Sequence, residues 1–375
     1  MISVSIKTNS SFKSVQKFVI NYFSSLLFIW FGYYFFTQVS FYHIAQYSHQ
    51  WTPQWKDWNS GLTFTTQGFY HALMLCYAVG LLFHFALNPS VESKSALAFK
   101  GFAKFFIRKL GAVTVAERQA IFACAVKFFF VPFIIDAFLQ HCMTINYKTC
   151  DLFRWALMDK FDQPLFIHDI NHLVFEVLFA FVLFFDIVPF IVGYLVESKY
   201  LDNQIKSVES TWAGWFFCIM SYPPFNGAFS SFARTDFSEY VAPFQNLGEW
   251  GLYLQMGLNI VALVLMALYS SASVSLGWKA ANLCSRGLVS TGLYKYVRHP
   301  AYACKNLAWW LFSIGAAVHL AQAGKSFVFP LIALLFWNWV YYMRAYTEEL
   351  HLARTDPDYL TYMQEVPYRF IPKVF

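Results

Sequence analysis

The chain has 375 residues, of which 58% are hydrophobic and 21% aromatic, with 44 phenylalanines, and only 13% are charged. Soluble domains carry about 25% charged residues, so this composition excludes an ordinary soluble enzyme and describes a protein built for a bilayer. The formal net charge is +6, but the bases are spread through short loops, a pattern that suits membrane topology and anionic lipid headgroups and excludes a nucleic-acid partner.

A helix needs about 20 apolar residues to cross a hydrocarbon core. That rule predicts eight spans, at about 18–38, 64–87, 119–140, 171–195, 212–232, 252–275, 302–322 and 326–346. The expected fold class is therefore all-α, a polytopic transmembrane helical bundle of about eight spans. The first apolar run is too long for the core of a signal peptide and reads as a span. An even number of spans puts both termini on one side. Loops on that side collect Lys94, Lys100, Lys104, Lys279, Arg286, Lys295 and Arg298, so the positive-inside rule makes both termini cytoplasmic. Bacterial inner membrane and endoplasmic reticulum fit this bias equally.

The connecting segments carry their own signals. The outer loop "SHQWTPQWKDWNSG" holds three tryptophans, residues that settle at headgroup level. The run "SALAFKGFAKFFIRKLG" sets apolar residues and bases at helical spacing and predicts an interfacial amphipathic helix between 88 and 118. "SYPPFNG" interrupts the fifth span and predicts a kink or re-entrant segment. Lys127, Asp136, Glu176 and Asp186 fall inside spans, and Lys305 lies inside the seventh, where ionisable groups are costly. Lys127 and Asp186 lie at matching depth and are expected to form a structural ion pair rather than a proton relay. Of the seven cysteines none forms a CxxC, so no metal site is expected. Cys142 and Cys150 flank one expected loop and would be able to pair in an oxidising compartment.

The chemistry concentrates near the carboxyl end. In "GLVSTGLYKYVRHPAYACKNLAWW", Gly287 and Gly292 allow a tight turn, and Pro300 suits the first position of a helix. That helix would aim its positive N-terminus, flanked by Arg298 and His299, at a carboxylate or phosphate. In "YYMRAYTEELHLARTDPDYLTYMQEVPYRFIP", Arg344 and Glu348 share one helix face, and Glu349 doubles the negative charge. One helix end for a carboxylate and one acidic pair for an ammonium make a grip on a free amino acid moiety. Tyr294, Tyr296 and Tyr302 offer aromatic faces to a cation such as a sulfonium.

The order Gly-x-Tyr-x-x-x-Arg-His-Pro-x-Tyr, a hairpin of two spans, Glu-Glu-x-x-Leu, Asp-Tyr-x-x-Tyr and Val-Pro-Tyr-Arg-Phe-Ile-Pro resembles the isoprenylcysteine carboxyl methyltransferase and phospholipid methyltransferase superfamily of membrane enzymes. The likeness covers about residues 284–375. It divides the chain into an N-terminal region of about four spans, 1–210, with no recognised family, and a methyltransferase-like core, 211–375. It implies that S-adenosylmethionine binds on the cytoplasmic side at Gly292, Tyr294, His299, Pro300, Tyr302, Glu348 and Glu349. Arg344 stands where the isoprenylcysteine enzymes carry an arginine that orients the acceptor carboxylate. Many members have glycine soon after the motif tyrosine, where this chain has Ala303 and Cys304. The tail "VPYRFIPKVF" also looks like that of the related sterol reductases, which use NADPH. Those typically place asparagine where Ala301 stands and lack the acidic pair.

The resemblance implies a membrane methyltransferase whose acceptor is a hydrophobic small molecule, a lipid or a lipidated substrate: an isoprenylcysteine-like carboxylate, a lipid amine or a thiol. A carboxylate or thiolate needs no general base, whereas an amine or hydroxyl does, and His299 or a nearby carboxylate can serve. The alternatives are an NADPH-dependent reductase of a sterol or isoprenoid double bond, and a transporter or scaffold without catalysis.

Overall fold

The computed structural model describes residues 2–55, 58–59, 61–88, 91–107, 112–157, 166–227, 244 and 247–374. Among them are twelve α-helices: α1 (Ile2–Tyr34), α2 (Phe41–Tyr47), α3 (Thr66–Leu87), α4 (Lys94–Phe106), α5 (Val115–Leu157), α6 (Phe166–Asp169), α7 (Phe175–Leu195), α8 (Trp212–Ile219), α9 (Glu249–Leu276), α10 (Pro300–Gln322), α11 (Val328–Thr355) and α12 (Pro357–Glu365). Among the described residues the strands form three antiparallel pairs, each strand two residues long. The chain divides into two compact units, Met1–Trp51 with Thr63–Asp136, and Thr52–Leu62 with Ala137–Phe375. The division falls inside α5.

Five of the eight expected spans are helices long and apolar enough to cross a bilayer: Lys13–Val39, Thr66–Leu87, Val115–Leu157, Asn171–Leu195 and Glu249–Lys279. Among the described residues the fifth expected span gives α8, eight residues long, and helical residues at 225–227; α8 stops ahead of Pro223 and Pro224, residues with no amide to continue a helix. Residues 228–232 of that stretch lie outside the described residues. α10 and α11 form where the last two spans were expected, but they carry Lys305, Asn306, Arg344 and Glu348 among their apolar residues.

α5 runs for 43 residues, about 65 Å at ~1.5 Å per residue, twice the ~30 Å of a hydrocarbon core. It absorbs the expected outer loop that follows the third span. Cys142 and Cys150 consequently lie on one continuous helix, about 12 Å apart along its axis, beyond the ~7 Å Cα separation that a disulfide permits. Both thiols are free, so the pairing that an oxidising compartment would have allowed does not form.

In the first unit the helix expected between 88 and 118 forms as α4. Ser93 caps it, accepting from the Ala96 amide at 3.0 Å. Its small residues Ala96, Ala98 and Gly101 are buried, while Phe99, Phe102, Phe105 and Phe106 face outward. Small residues let helices approach closely: a Cβ on Gly101 would stand 2.9 Å from Ile121. Asn21 ties α1 to the start of α4, donating to the Val91 carbonyl at 2.7 Å and accepting from the Ser93 amide at 2.9 Å.

The second unit is organised around α7, α9 and α10. Lipid gives helices no hydrophobic reason to associate, so tight packing and polar contacts hold them. Ala262, Met266, Ala308 and Phe312 form its buried centre, with Phe175 and Phe179 against them. At one end of the α7–α9 pair, Asn171, Gln255 and Asn259 bond to one another at 2.8–3.0 Å. Toward the other end Asp186 accepts from Tyr269 at 2.7 Å and from Ser273. Asp186 therefore finds two hydroxyl partners on α9.

Candidate active site

Pro300 occupies the first position of α10, as its fixed φ and missing amide favour. The two residues before it are held by the carboxyl-terminal tail. The Arg298 amide donates to the Tyr368 carbonyl at 3.0 Å and the His299 amide to the Arg369 carbonyl at 2.9 Å. Arg298 then spends its guanidinium on the same element and on α11. It donates to the Val366 and Pro367 carbonyls at 2.8 and 2.7 Å and to Glu349 at 2.7 Å. The Arg298 donors named in the sequence as flanking an anion cradle are thus committed to the fold.

Glu349 is 3% exposed and receives three donors. Besides Arg298, Arg369 reaches its other oxygen at 2.6 Å, and His299 Nε2 lies 3.1 Å from its Oε1. A carboxylate only accepts, so Nε2 donates to Glu349, and Nδ1 faces Glu348 at 3.9 Å. Burial alone would raise the Glu349 carboxyl, but the bonds from His299, Arg369 and Arg298 outweigh it and hold the group well below the usual carboxylate range.

Glu348 turns the other way. Its Oε1 accepts from the Tyr302 hydroxyl at 2.5 Å and from Arg344 Nε at 3.1 Å. Arg344, 4% exposed, is oriented by Asn282, whose Oδ1 accepts from Nη2 at 2.5 Å, and by Tyr222 and Tyr302, whose rings lie 5.3 and 5.1 Å from its guanidinium carbon. Asn282 is in turn fixed by the Tyr194 hydroxyl, which accepts from its amide at 2.7 Å. The His299 and Tyr302 rings stack at 5.3 Å.

These groups border a cavity of about 220 Å³. Of the residues expected at the site, Tyr294, His299, Tyr302, Arg344 and Glu348 line it. Gly292, Pro300 and Glu349 stand behind its wall. Gly292 has φ +62°, and a Cβ there would meet Ser275 Oγ at 2.3 Å, so its role is to let the loop press against α9. Burial and the neighbouring Glu348 push the Tyr294 phenol up, and the Tyr362 hydroxyl donates to the Tyr294 carbonyl at 2.7 Å.

The cavity also has walls that the motif reading missed. Arg286 is 2% exposed. Its Nη1 donates to the Gly193 carbonyl at 2.5 Å, while Nε and Nη2 find no hydrogen-bond partner among the described residues. Glu209 bonds the Thr211 amide at 2.7 Å and faces His351 at 3.8 Å; burial pushes that imidazole down against the pull of Glu209 and Glu348. Deeper in, Tyr269, Ser273, Lys305 and Tyr341 line the cavity. Only the intramembrane position of Lys305 marked any of these four in advance. Among the described residues no group of three or more His, Cys, Asp or Glu has the geometry to hold a metal.

No curated protein and no solved structure matches the chain. Residues 254–354, which carry most of α9, the Arg-His-Pro loop, α10 and the Glu348–Glu349 end of α11, match the model of the isoprenylcysteine carboxyl methyltransferase (ICMT) family, and through this segment the protein resembles a membrane methyltransferase.

Proposed function

We propose that the protein is an integral-membrane, S-adenosylmethionine-dependent methyltransferase acting on a hydrophobic or membrane-associated acceptor. The observation that carries this reading is Glu348: a carboxylate held by Tyr302 and Arg344 on the wall of a cavity that the Arg-His-Pro loop also lines. The residues fit the cofactor. Glu348 supplies the negative charge that an ammonium needs, and Tyr294 and Tyr302 supply aromatic faces for a sulfonium. Arg286, buried with two N–H groups unmatched among the described residues, offers a counter-charge for a carboxylate. Buried charge without a partner is costly, so a ligand that brings the anion is favoured there.

When bound, the cofactor supplies an electrophilic methyl group. The protein's part is to align acceptor and methyl and to exclude water, which is where most of the gain in such a displacement arises. Arg344, fixed by Asn282 and Tyr222, is the positioning cation nearest Glu348. His299, bonded to Glu349 through Nε2, turns Nδ1 toward Glu348 at the cavity.

Thermal-shift titration of detergent-purified protein tests the reading. Stabilisation by S-adenosylhomocysteine is expected, rising with ligand concentration as mass action requires. Stabilisation by NADPH in its place would assign the cavity to a reductase and sink the methyltransferase.

A further inference from the structure

The same cavity is bordered by a second polar cluster that lies partly outside the segment matched to the family. Asp186, on α7, has both carboxylate oxygens engaged by hydroxyls of α9: Tyr269 donates at 2.7 Å and Ser273 donates to the other oxygen. The carboxylate does not line the cavity, but both hydroxyl-bearing side chains do. Lys305 lines it too, on the turn of α10 that follows Tyr302. Its Nζ lies 5.4 Å from the centre of the Tyr269 ring and 5.7 Å from that of Tyr341. Among the described residues no carboxylate lies within 4 Å of Lys305; it shares a side-chain hydrogen bond with Tyr341, and Asp186 acts on it through space.

A carboxylate, two bridging hydroxyls and an ammonium around one small volume at membrane depth exceed what joining two helices requires. A single hydroxyl pair would do that. Each hydroxyl that donates to Asp186 keeps oxygen lone pairs able to accept a proton from the cavity side. The cation beside them favours a developing negative charge and disfavours an ammonium.

We infer that this cluster removes a proton from the methyl acceptor, and that the acceptor is a membrane-soluble hydroxyl compound, a phenol or alcohol, rather than an amine. The inference rests on the methyltransferase reading and names its substrate class. The acceptor O–H gives its proton to the Tyr269 or Ser273 oxygen as that hydroxyl's own proton passes to Asp186. The acceptor oxygen, its charge offset by Lys305, forms the new bond to the methyl carbon. The carbon–sulfur bond breaks, and the sulfur keeps the electron pair. One proton ends on Asp186 and one methyl on oxygen, so charge and atoms balance. Tyr269 and Ser273 are the catalytic residues of this step, and Asp186 acts through them as a positioning residue and proton store.

The test gives full-length protein in detergent methyl-labelled S-adenosylmethionine with three acceptors in turn: a long-chain alkylphenol, S-farnesyl-N-acetylcysteine and phosphatidylethanolamine. Products are read by mass spectrometry. Label is expected on the phenol oxygen. Asp186→Asn and the double variant Tyr269→Phe with Ser273→Ala should each lower kcat for the phenol about 100-fold or more, the scale of a lost general base. KM and S-adenosylhomocysteine affinity should hold, and Asp186→Glu should recover part of the rate. A merely structural tie between α7 and α9 would move affinity and melting temperature and leave no such split. Label appearing only on the carboxylate or the amine overturns the inference while the methyltransferase stands, as does an Asp186→Asn enzyme with wild-type kcat on the phenol. If Asp186→Asn does not fold, the hydroxyl double variant decides. A wild type that binds no S-adenosylhomocysteine and labels none of the three overturns both.

Discussion

Glu348 and Glu349 are neighbours in the chain that serve different elements. Glu349 closes on Arg298 at 2.7 Å and Arg369 at 2.6 Å, fastening α11 to the loop and tail, whereas Glu348 accepts from Tyr302 at 2.5 Å beside the cavity. Successive residues on a helix are about 100° apart, so one carboxylate can be structural while the next is presented to a ligand.

Glu349 is expected to govern stability. Replacing it by glutamine leaves buried Arg298 and half-buried Arg369 short of a counter-charge, a change of about 3–5 kcal/mol for a broken buried pair. Glu349→Gln should lower the melting temperature markedly, with or without ligand. The native carboxyl lies below its unfolded value, so its contribution is fully present above about pH 4.5. It is lost as pH falls below that point toward the native value. Melting temperature recorded from pH 7 downward should therefore fall in the wild type with a component that Glu349→Gln lacks.

Glu348 and His299 are expected to govern binding. Glu348→Ala removes a hydrogen-bonded charge at the cavity wall, worth about 1.5–3 kcal/mol, or roughly 10- to 150-fold in S-adenosylhomocysteine affinity. Buried Arg344 loses its carboxylate partner, so the melting temperature should fall, but Asn282 and the Tyr222 and Tyr302 rings still hold it and the protein should fold. His299→Ala should weaken binding as well. Calorimetry giving wild-type affinity in both variants would remove the proposed site.

The site's frame could be read in the sequence because local rules fix it. Pro300 marks the start of a helix, and Arg344 and Glu348 are four apart on one face. Five of the spans followed from apolar length alone. What escaped was what only tertiary packing decides. Glu348 and Glu349 are indistinguishable in a string, and their roles diverge only once Arg369 comes back from the tail. Asp186 and Lys305 each announced themselves as charges in apolar runs. Their convergence with Tyr269 needed α7, α9 and α10 side by side. The long α5 hid its extent because polar residues such as Asn146 and Lys148 read as a loop. That stretch is instead fastened by Asn146 to the backbone of Gln54 at 2.8 and 2.9 Å.

Gly292 is expected to be intolerant of any side chain for two separable reasons. At φ +62° an L-residue costs about 1–2 kcal/mol, and the added Cβ would meet Ser275 Oγ at 2.3 Å. Gly292→Ala should lower the melting temperature. Adding Ser275→Gly removes the clash but not the backbone strain, so partial recovery is the expected result. Full recovery would mean that the dihedral is harmless.

Arg344 separates charge from geometry. Its Nε donates to Glu348 at 3.1 Å while its Nη2 donates to Asn282 at 2.5 Å, a fork whose separate donors an ammonium cannot reproduce. Arg344→Lys keeps the charge and should still fold, yet it should lose the simultaneous hold on Glu348 and Asn282. The expected outcome is a methyl-transfer kcat lowered about 10-fold or more, with a smaller change in S-adenosylhomocysteine affinity, since misalignment weakens a displacement more than it weakens binding. Asn282→Ala removes the second anchor without touching Arg344 and should reproduce most of that loss. The pair should be less than additive, because both act on one orientation. Strict additivity between Arg344→Lys and Asn282→Ala, measured as kcat in a double-mutant cycle, would show that Asn282 does not position the arginine.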